Sequence, residues 1–99
     1  MRLPERSRVV IRETVREIFG EDASVRLFGS RTEDQARGGD IDLLVELQNP
    51  VEDREHKVLK LIARLQIRLG DQPIDVLVID PQTERKPIHR QALQTGVLL

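Results

Sequence analysis

Three aspartates and one Gly-Ser pair carry the chemistry this sequence could perform. Asp40 and Asp42 flank Ile41 in Gly39-Asp40-Ile41-Asp42-Leu43, and Asp75 interrupts the run Ile74-Asp75-Val76-Leu77-Val78-Ile79. On a strand, residues two apart share a face, about 7 Å apart along the backbone. Asp40 and Asp42 then stand together, while Ile41, Leu43 and Val45 point the other way. Like charges side by side repel and need a reason to be there. A shared divalent cation is one such reason. Carboxylate oxygens suit Mg2+ or Mn2+, and no His or Cys lies close enough in sequence to suggest zinc. Taken alone, an Asp-x-Asp reads more simply as two solvated acids opening a strand. Asp75 alters that balance. A carboxylate inside the most apolar run of the chain is costly to bury unless it is paired or binds a metal. If the two strands are neighbours, three carboxylates converge. With water and phosphate oxygens they can hold two Mg2+ ions, one activating an oxygen and one stabilising a leaving oxygen.

Gly29-Ser30 follows an apolar stretch. Glycine allows a ligand to approach the backbone closely. A serine hydroxyl beside N–H groups at the start of a helical turn makes a phosphate cradle. A Gly-Ser pair is also an ordinary turn, so its meaning depends on what surrounds it. Arg31, next in sequence, is placed to contact phosphate.

The elements that would position these residues can be read from periodicity. Val10 or Ile11, Thr14 or Val15, Ile18 and Phe19 recur at helical spacing, which predicts a first helix from about Glu5 to Phe19 ended by Gly20. Ser24–Phe28 reads as a first strand. Residues 31–39 are polar and read as a loop, with a helical turn from Ser30 and a hinge at Arg37-Gly38-Gly39. Asp40–Leu47 reads as a second strand. Asn49 as a cap, Pro50 in the first turn and Glu52 as a capping-box acid open a long helix over 52–69, closed by Gly70. Val58, Leu61, Ile62, Leu65 and Leu69 form its apolar face, and Leu59, Ala63 and Ile67 widen it. Ile74–Ile79 reads as a third strand buried on both faces. Thr83–Leu93 reads as a weaker helix, and Val97-Leu98-Leu99 as an apolar tail. The expected fold is α/β (α+β): a small mixed β-sheet of about three to four strands with helices packed on it.

Composition narrows the function. Ninety-nine residues make one domain, 1–99, with a modest core and no second lobe. Sixteen basic residues against seventeen acidic ones leave a net charge of −1, which argues against binding nucleic acid through bulk charge. Thirteen of the basic residues are Arg, a skew that suits bidentate phosphate contacts but also follows genome composition. The chain has no Cys, which excludes disulfides, thiol catalysis and Cys-ligated zinc. Two Phe with no Trp or Tyr disfavour a base-stacking platform. No run is long and apolar enough for a spanning helix or a signal peptide, so the expected location is cytoplasmic. His56 and His89 read as surface histidines, and Glu52 to Lys60 as a solvated helix face.

The full pattern is more specific than its parts. An apolar strand, Gly29-Ser30, nine residues, Asp40-Ile41-Asp42-Leu43 and a later Asp75 on an apolar strand resemble the nucleotidyltransferase superfamily of the DNA polymerase β type, over about residues 24–79. The short chain, the single leading helix and the ending (Pro87-Ile88-His89-Arg90, then Thr95-Gly96-Val97-Leu98-Leu99) resemble the minimal nucleotidyltransferases (MNT), the antitoxins of HEPN/MNT toxin–antitoxin pairs. The resemblance implies that Gly29 and Ser30 hold the β- and γ-phosphates of a nucleotide, with Arg31 a weaker match. It implies that Asp40 and Asp42 bind both metals, and that Asp75 holds the catalytic metal and orients or deprotonates the acceptor hydroxyl. It further implies AMP transfer from ATP, with Mg2+ or Mn2+, to a tyrosine of a HEPN-domain toxin. Larger relatives carry a helical domain after the core and this chain does not, so acceptor recognition is expected to come from the partner. The alternative is an antitoxin that masks the toxin without catalysis. An orphan α/β domain with merely solvated acids is a third reading, disfavoured by the buried setting expected for Asp75. The apolar residues left over on the 52–69 helix and the tail imply an interface, with the toxin or, in its absence, in a homo-oligomer.

Overall fold

A computed structural model describes residues 3–29 and 41–99. The described elements are α1 (Glu5–Phe19), β1 (Ser24–Phe28), β2 (Ile41–Glu46), α2 (Arg54–Leu69), β3 (Ile74–Ile79), α3 (Pro87–Thr95) and β4 (Val97–Leu98). They form one mixed sheet in the order β3-β2-β1-β4. β1 runs antiparallel to both β2 and β4, and β2 runs parallel to β3 with α2 as the connection. The expected small mixed sheet with packed helices is what the chain forms.

The alternation of side chains along each strand divides the core into two layers. Val25, Leu27, Ile41, Leu43, Val45, Ile74 and Val78 meet Ile11 and Val15 of α1 and Leu61 and Leu65 of α2. The opposite face carries Leu44 and Ile79, covered by Ala92 of α3, with Phe28, Leu77 and Leu93 packed around them. β2 is therefore buried on both faces over Leu43, Leu44 and Val45. The two helices of the first layer are also joined by polar contacts. Arg68 donates to the buried Thr14 hydroxyl at 2.7 Å and to both carboxylate oxygens of Glu17 at 3.2 and 3.1 Å.

The expected bounds of α1 and of the first and third strands coincide with the observed ones, and three other expectations need correction. The long helix starts at Arg54, beyond the expected Asn49-Pro50-Val51-Glu52 opening, and Asn49 does not cap it. The Val51 N–H is donated instead to Asp80 Oδ2 at 2.9 Å, and Asp53 takes a left-handed turn at φ 53° just before the helix. The last helix starts at Pro87 rather than Thr83. Thr83 is held in a turn, its hydroxyl accepting from the Asp80 N–H and donating to Asp80 Oδ1, both at 2.9 Å. The apolar tail is used in the fold rather than left free: Val97 and Leu98 pair with β1, the Leu99 N–H bonds the Val25 carbonyl at 2.9 Å, and Leu99 is buried, while the Leu98 side chain stays 57% exposed.

Asp80 is the polar anchor of this end of the molecule. Its carboxylate is 2% exposed and takes Val51, Gln82 and Thr83 as hydrogen-bond donors, with the Arg54 guanidinium 3.3 Å away. The hydrogen bond from the Val51 backbone, helped by Thr83, Gln82 and the Arg54 charge, holds its pKa below the ordinary 3.8. A carboxylate with a depressed folded-state pKa stabilises the protein fully above its unfolded value and loses that contribution as pH falls through the folded value. Urea titrations across the acid range are therefore expected to show stability falling below about pH 4. In Asp80→Asn that part of the acid limb is expected to flatten, and stability near neutrality to drop, because an amide cannot accept both backbone N–H groups. An unchanged acid limb in Asp80→Asn contradicts this assignment.

Candidate functional site

The sheet topology brings one end of three strands together. β1 ends at Phe28, β2 begins at Ile41 and β3 at Ile74, so the end of β1 meets the starts of the other two. The register sets Phe28 opposite Asp42, and Asp42 opposite Asp75. Register partners on neighbouring strands stand on the same face, about 4.8 Å apart. Phe28, Asp42 and Asp75 thus form one row on the face that α3 partly covers. Phe28 closes the apolar cluster beneath α3, and the two carboxylates continue the row beyond it. Asp42 is half-buried and Asp75 exposed.

Gly29 completes this corner. Its φ is +77°, a left-handed conformation that side chains disfavour. A Cβ there would collide with the carboxylate of Asp42 and lie 3.2 Å from its Cγ. The backbone at the end of β1 is therefore pressed against the Asp42 carboxylate in a way only glycine permits.

The structure brings Gly29, Asp42 and Asp75 to one corner. Ser30, Arg31 and Asp40 lie outside the described residues, as do the helical turn expected at Ser30 and the hinge at Arg37-Gly38-Gly39. One step of the sequence reasoning needs correction. Asp75 was expected to be costly because its strand would be buried on both faces. β3 is an edge strand instead, Val76 and Leu77 are half-buried, and Asp75 meets solvent. What singles out Asp75 is its register with Asp42, not desolvation.

Two carboxylates in register against a glycine are a donor set for a hard divalent cation, and repulsion between them gives an ion a reason to bind. Among the described residues no cluster of three or more metal-ligating side chains occurs. Sequence reasoning missed Asp80 and Arg54, which tie the β2–α2 connection to the end of β3. A signal was present in Asp80-Pro81-Gln82-Thr83, the pattern of an Asx turn. His89 is half-buried, and its Nδ1 accepts from the Lys86 N–H at 3.0 Å. Among the described residues no helix is long and apolar enough to cross a membrane.

A family model described as a nucleotidyltransferase domain matches residues 9–98, nearly the whole chain. Among curated proteins none matches.

Proposed function

The chain belongs to the nucleotidyltransferase domain family, and on that premise we propose that it moves AMP from ATP to a tyrosine hydroxyl of a HEPN-domain partner, as the antitoxin of a toxin–antitoxin pair. The single observation that carries nucleotidyl transfer is the corner where Asp42 and Asp75 stand in register with Gly29 against Asp42.

In the proposed reaction the acceptor oxygen bonds the α-phosphorus of the nucleoside triphosphate. The bond from that phosphorus to the α,β-bridging oxygen breaks, and pyrophosphate leaves. Asp75, exposed at the start of β3, is the group placed to take the hydroxyl proton and pass it to water. Gly29 lets the backbone approach the phosphates, and Ser30 and Arg31 are proposed to bind them. Asp42 and Asp75, with Asp40 as the proposed third ligand, would hold Mg2+ or Mn2+. Such an ion, when bound, neutralises phosphate charge and lowers the pKa of a coordinated hydroxyl. The proposed location is the cytoplasm, which supplies nucleoside triphosphates.

The partner proposal is supported by the outer surface of α2. Leu59 is 67% and Ile67 84% exposed, and Ala63 between them is exposed as well. Residues four apart stack along one side of a helix, so these three make an apolar stripe with no cover among the described residues. Exposed stripes of this kind mark contact surfaces. These 99 residues contain no Tyr, which fits a tyrosine acceptor supplied by a partner. The same stripe also favours a second reading, an antitoxin that neutralises by masking. An AMP mass on the partner's tyrosine separates transfer from masking.

Nucleotide binding has a direct test. Mg2+ and ATP together are expected to raise the melting temperature more than either alone, because the phosphates complete the coordination shell that two carboxylates leave open. The same melting temperature with and without the pair contradicts a nucleotide site at this corner.

A further inference from the structure

Among the described residues β3 is the edge of the sheet, and no strand pairs with its outer side beside the proposed catalytic carboxylate. The ladder to β2 identifies which backbone groups face outward. The Ile41 N–H bonds the Pro73 carbonyl at 3.0 Å, and the Leu47 N–H bonds the Ile79 carbonyl at 2.8 Å. In a parallel ladder the N–H and C=O of one residue point to the same side and alternate along the strand. Pro73, Asp75, Leu77 and Ile79 therefore face β2, and Ile74, Val76 and Val78 face away. The Arg54 guanidinium caps the Val78 carbonyl at 3.4 Å. The N–H and C=O pairs of Ile74 and Val76 remain, with no partner among the described residues. Their spacing is that of a strand awaiting a neighbour.

Beside this edge lies a mainly apolar groove of about 470 Å³, between Val58 and Leu59 of α2 on one side and Leu77 and His89 on the other. A chain lying along β3 would send alternate side chains to these two sides.

We propose that the edge of β3 is the acceptor-binding site, and that it takes an extended, hydroxyl-bearing peptide segment of the acceptor protein as an added strand. The peptide bonds the Ile74 and Val76 backbone pairs, and its apolar side chains fill the groove. The residue opposite Asp75 then projects on the face that carries Asp75 and Asp42, with its Cβ about 5 Å from that of Asp75. Backbone register sets a hydroxyl-bearing side chain at that position on the face of the carboxylate. This rests on the reading of Asp75 as the residue that handles the acceptor hydroxyl.

The test uses the full chain and a panel of short synthetic peptides, apolar at alternate positions, each with one hydroxyl residue. Hydrogen exchange reads docking without reference to activity. The Ile74 and Val76 amides are expected to exchange fast in the free protein and at least about tenfold slower with peptide. Val76→Pro removes an outward N–H and leaves the β2 ladder intact. It is expected to weaken peptide binding about tenfold. Leu59→Asp, at an exposed position where folding is not at stake, is expected to do the same through the groove. With Mg2+ and ATP, peptides carrying the hydroxyl opposite Asp75 gain an AMP mass. Peptides shifted by one residue bind equally well but are not modified, because the shift turns the hydroxyl to the other face. No slowing at Ile74 and Val76, or slowing that grows with protein concentration in the absence of peptide, overturns the proposal; the latter assigns the edge to a second copy of the chain. Docking as described with every peptide left unmodified supports the strand-addition site and overturns the transfer reading of Asp75.

Discussion

Asp42→Asn is expected to cut nucleotidyl transfer by about a thousandfold while the protein keeps its fold. The change replaces a carboxylate by an amide of nearly equal volume at a half-buried position in the sheet. Its neighbours on the same face are Phe28 and Asp75, so packing is preserved. A negative charge is lost at the point where the triphosphate needs a divalent ion held. An amide oxygen binds such an ion weakly, so nucleotide binding and the chemical step both suffer and kcat/KM falls at least as far as kcat. The fold is expected to hold, because relief of the repulsion between two carboxylates in register offsets hydrogen bonding that the amide loses. Steady-state kinetics and a melting curve on the same preparation check both halves. Full activity in Asp42→Asn contradicts the carboxylate mechanism.

The second large effect is expected from Gly29→Ala. The glycine sits at φ +77°, where a side chain costs about 1–2 kcal/mol. The added Cβ would also occupy the space of the Asp42 carboxylate, so either that side chain or the end of β1 has to move. A displacement of about 1 Å at reacting groups costs on the order of a hundredfold in rate. Activity is expected to fall by about that factor, with a measurable drop in melting temperature. In Gly29→Ala/Asp42→Asn the two losses are expected not to add, since both act on one carboxylate. Additive losses in that double variant mean that Gly29 serves a separate purpose.

The site was legible where chemistry and register coincide in sequence. Period-two spacing marked the face of Asp42, and an apolar run marked β3 and the odd position of Asp75 within it. Burial of Asp75 was misjudged because edge and centre are properties of strand order. The Leu43-Leu44-Val45 triplet, wholly buried in β2, was the better sign of the central strand. The start of α2 was misplaced because Asn49-Pro50-Val51-Glu52 carries every local signal for a helix. The Val51 N–H went instead to Asp80, 29 residues away. A long-range carboxylate can outcompete a local cap, and only the fold brings it there. The ending Val97-Leu98-Leu99 was apolar for a reason that periodicity does not reveal in so short a segment: it pairs with β1 and buries Leu99.

The central claim is that the corner formed by Gly29, Asp42 and Asp75 transfers a nucleotide. The direct measurement incubates the protein with Mg2+, a hydroxyl-bearing acceptor and ATP labelled at the α-phosphate, beside a parallel reaction labelled at the γ-phosphate. Nucleotidyl transfer predicts the α-label on the acceptor, the γ-label in pyrophosphate, and neither product with Asp42→Asn. The γ-label on the acceptor, or the α-label transferred equally by the wild type and Asp42→Asn, would contradict it.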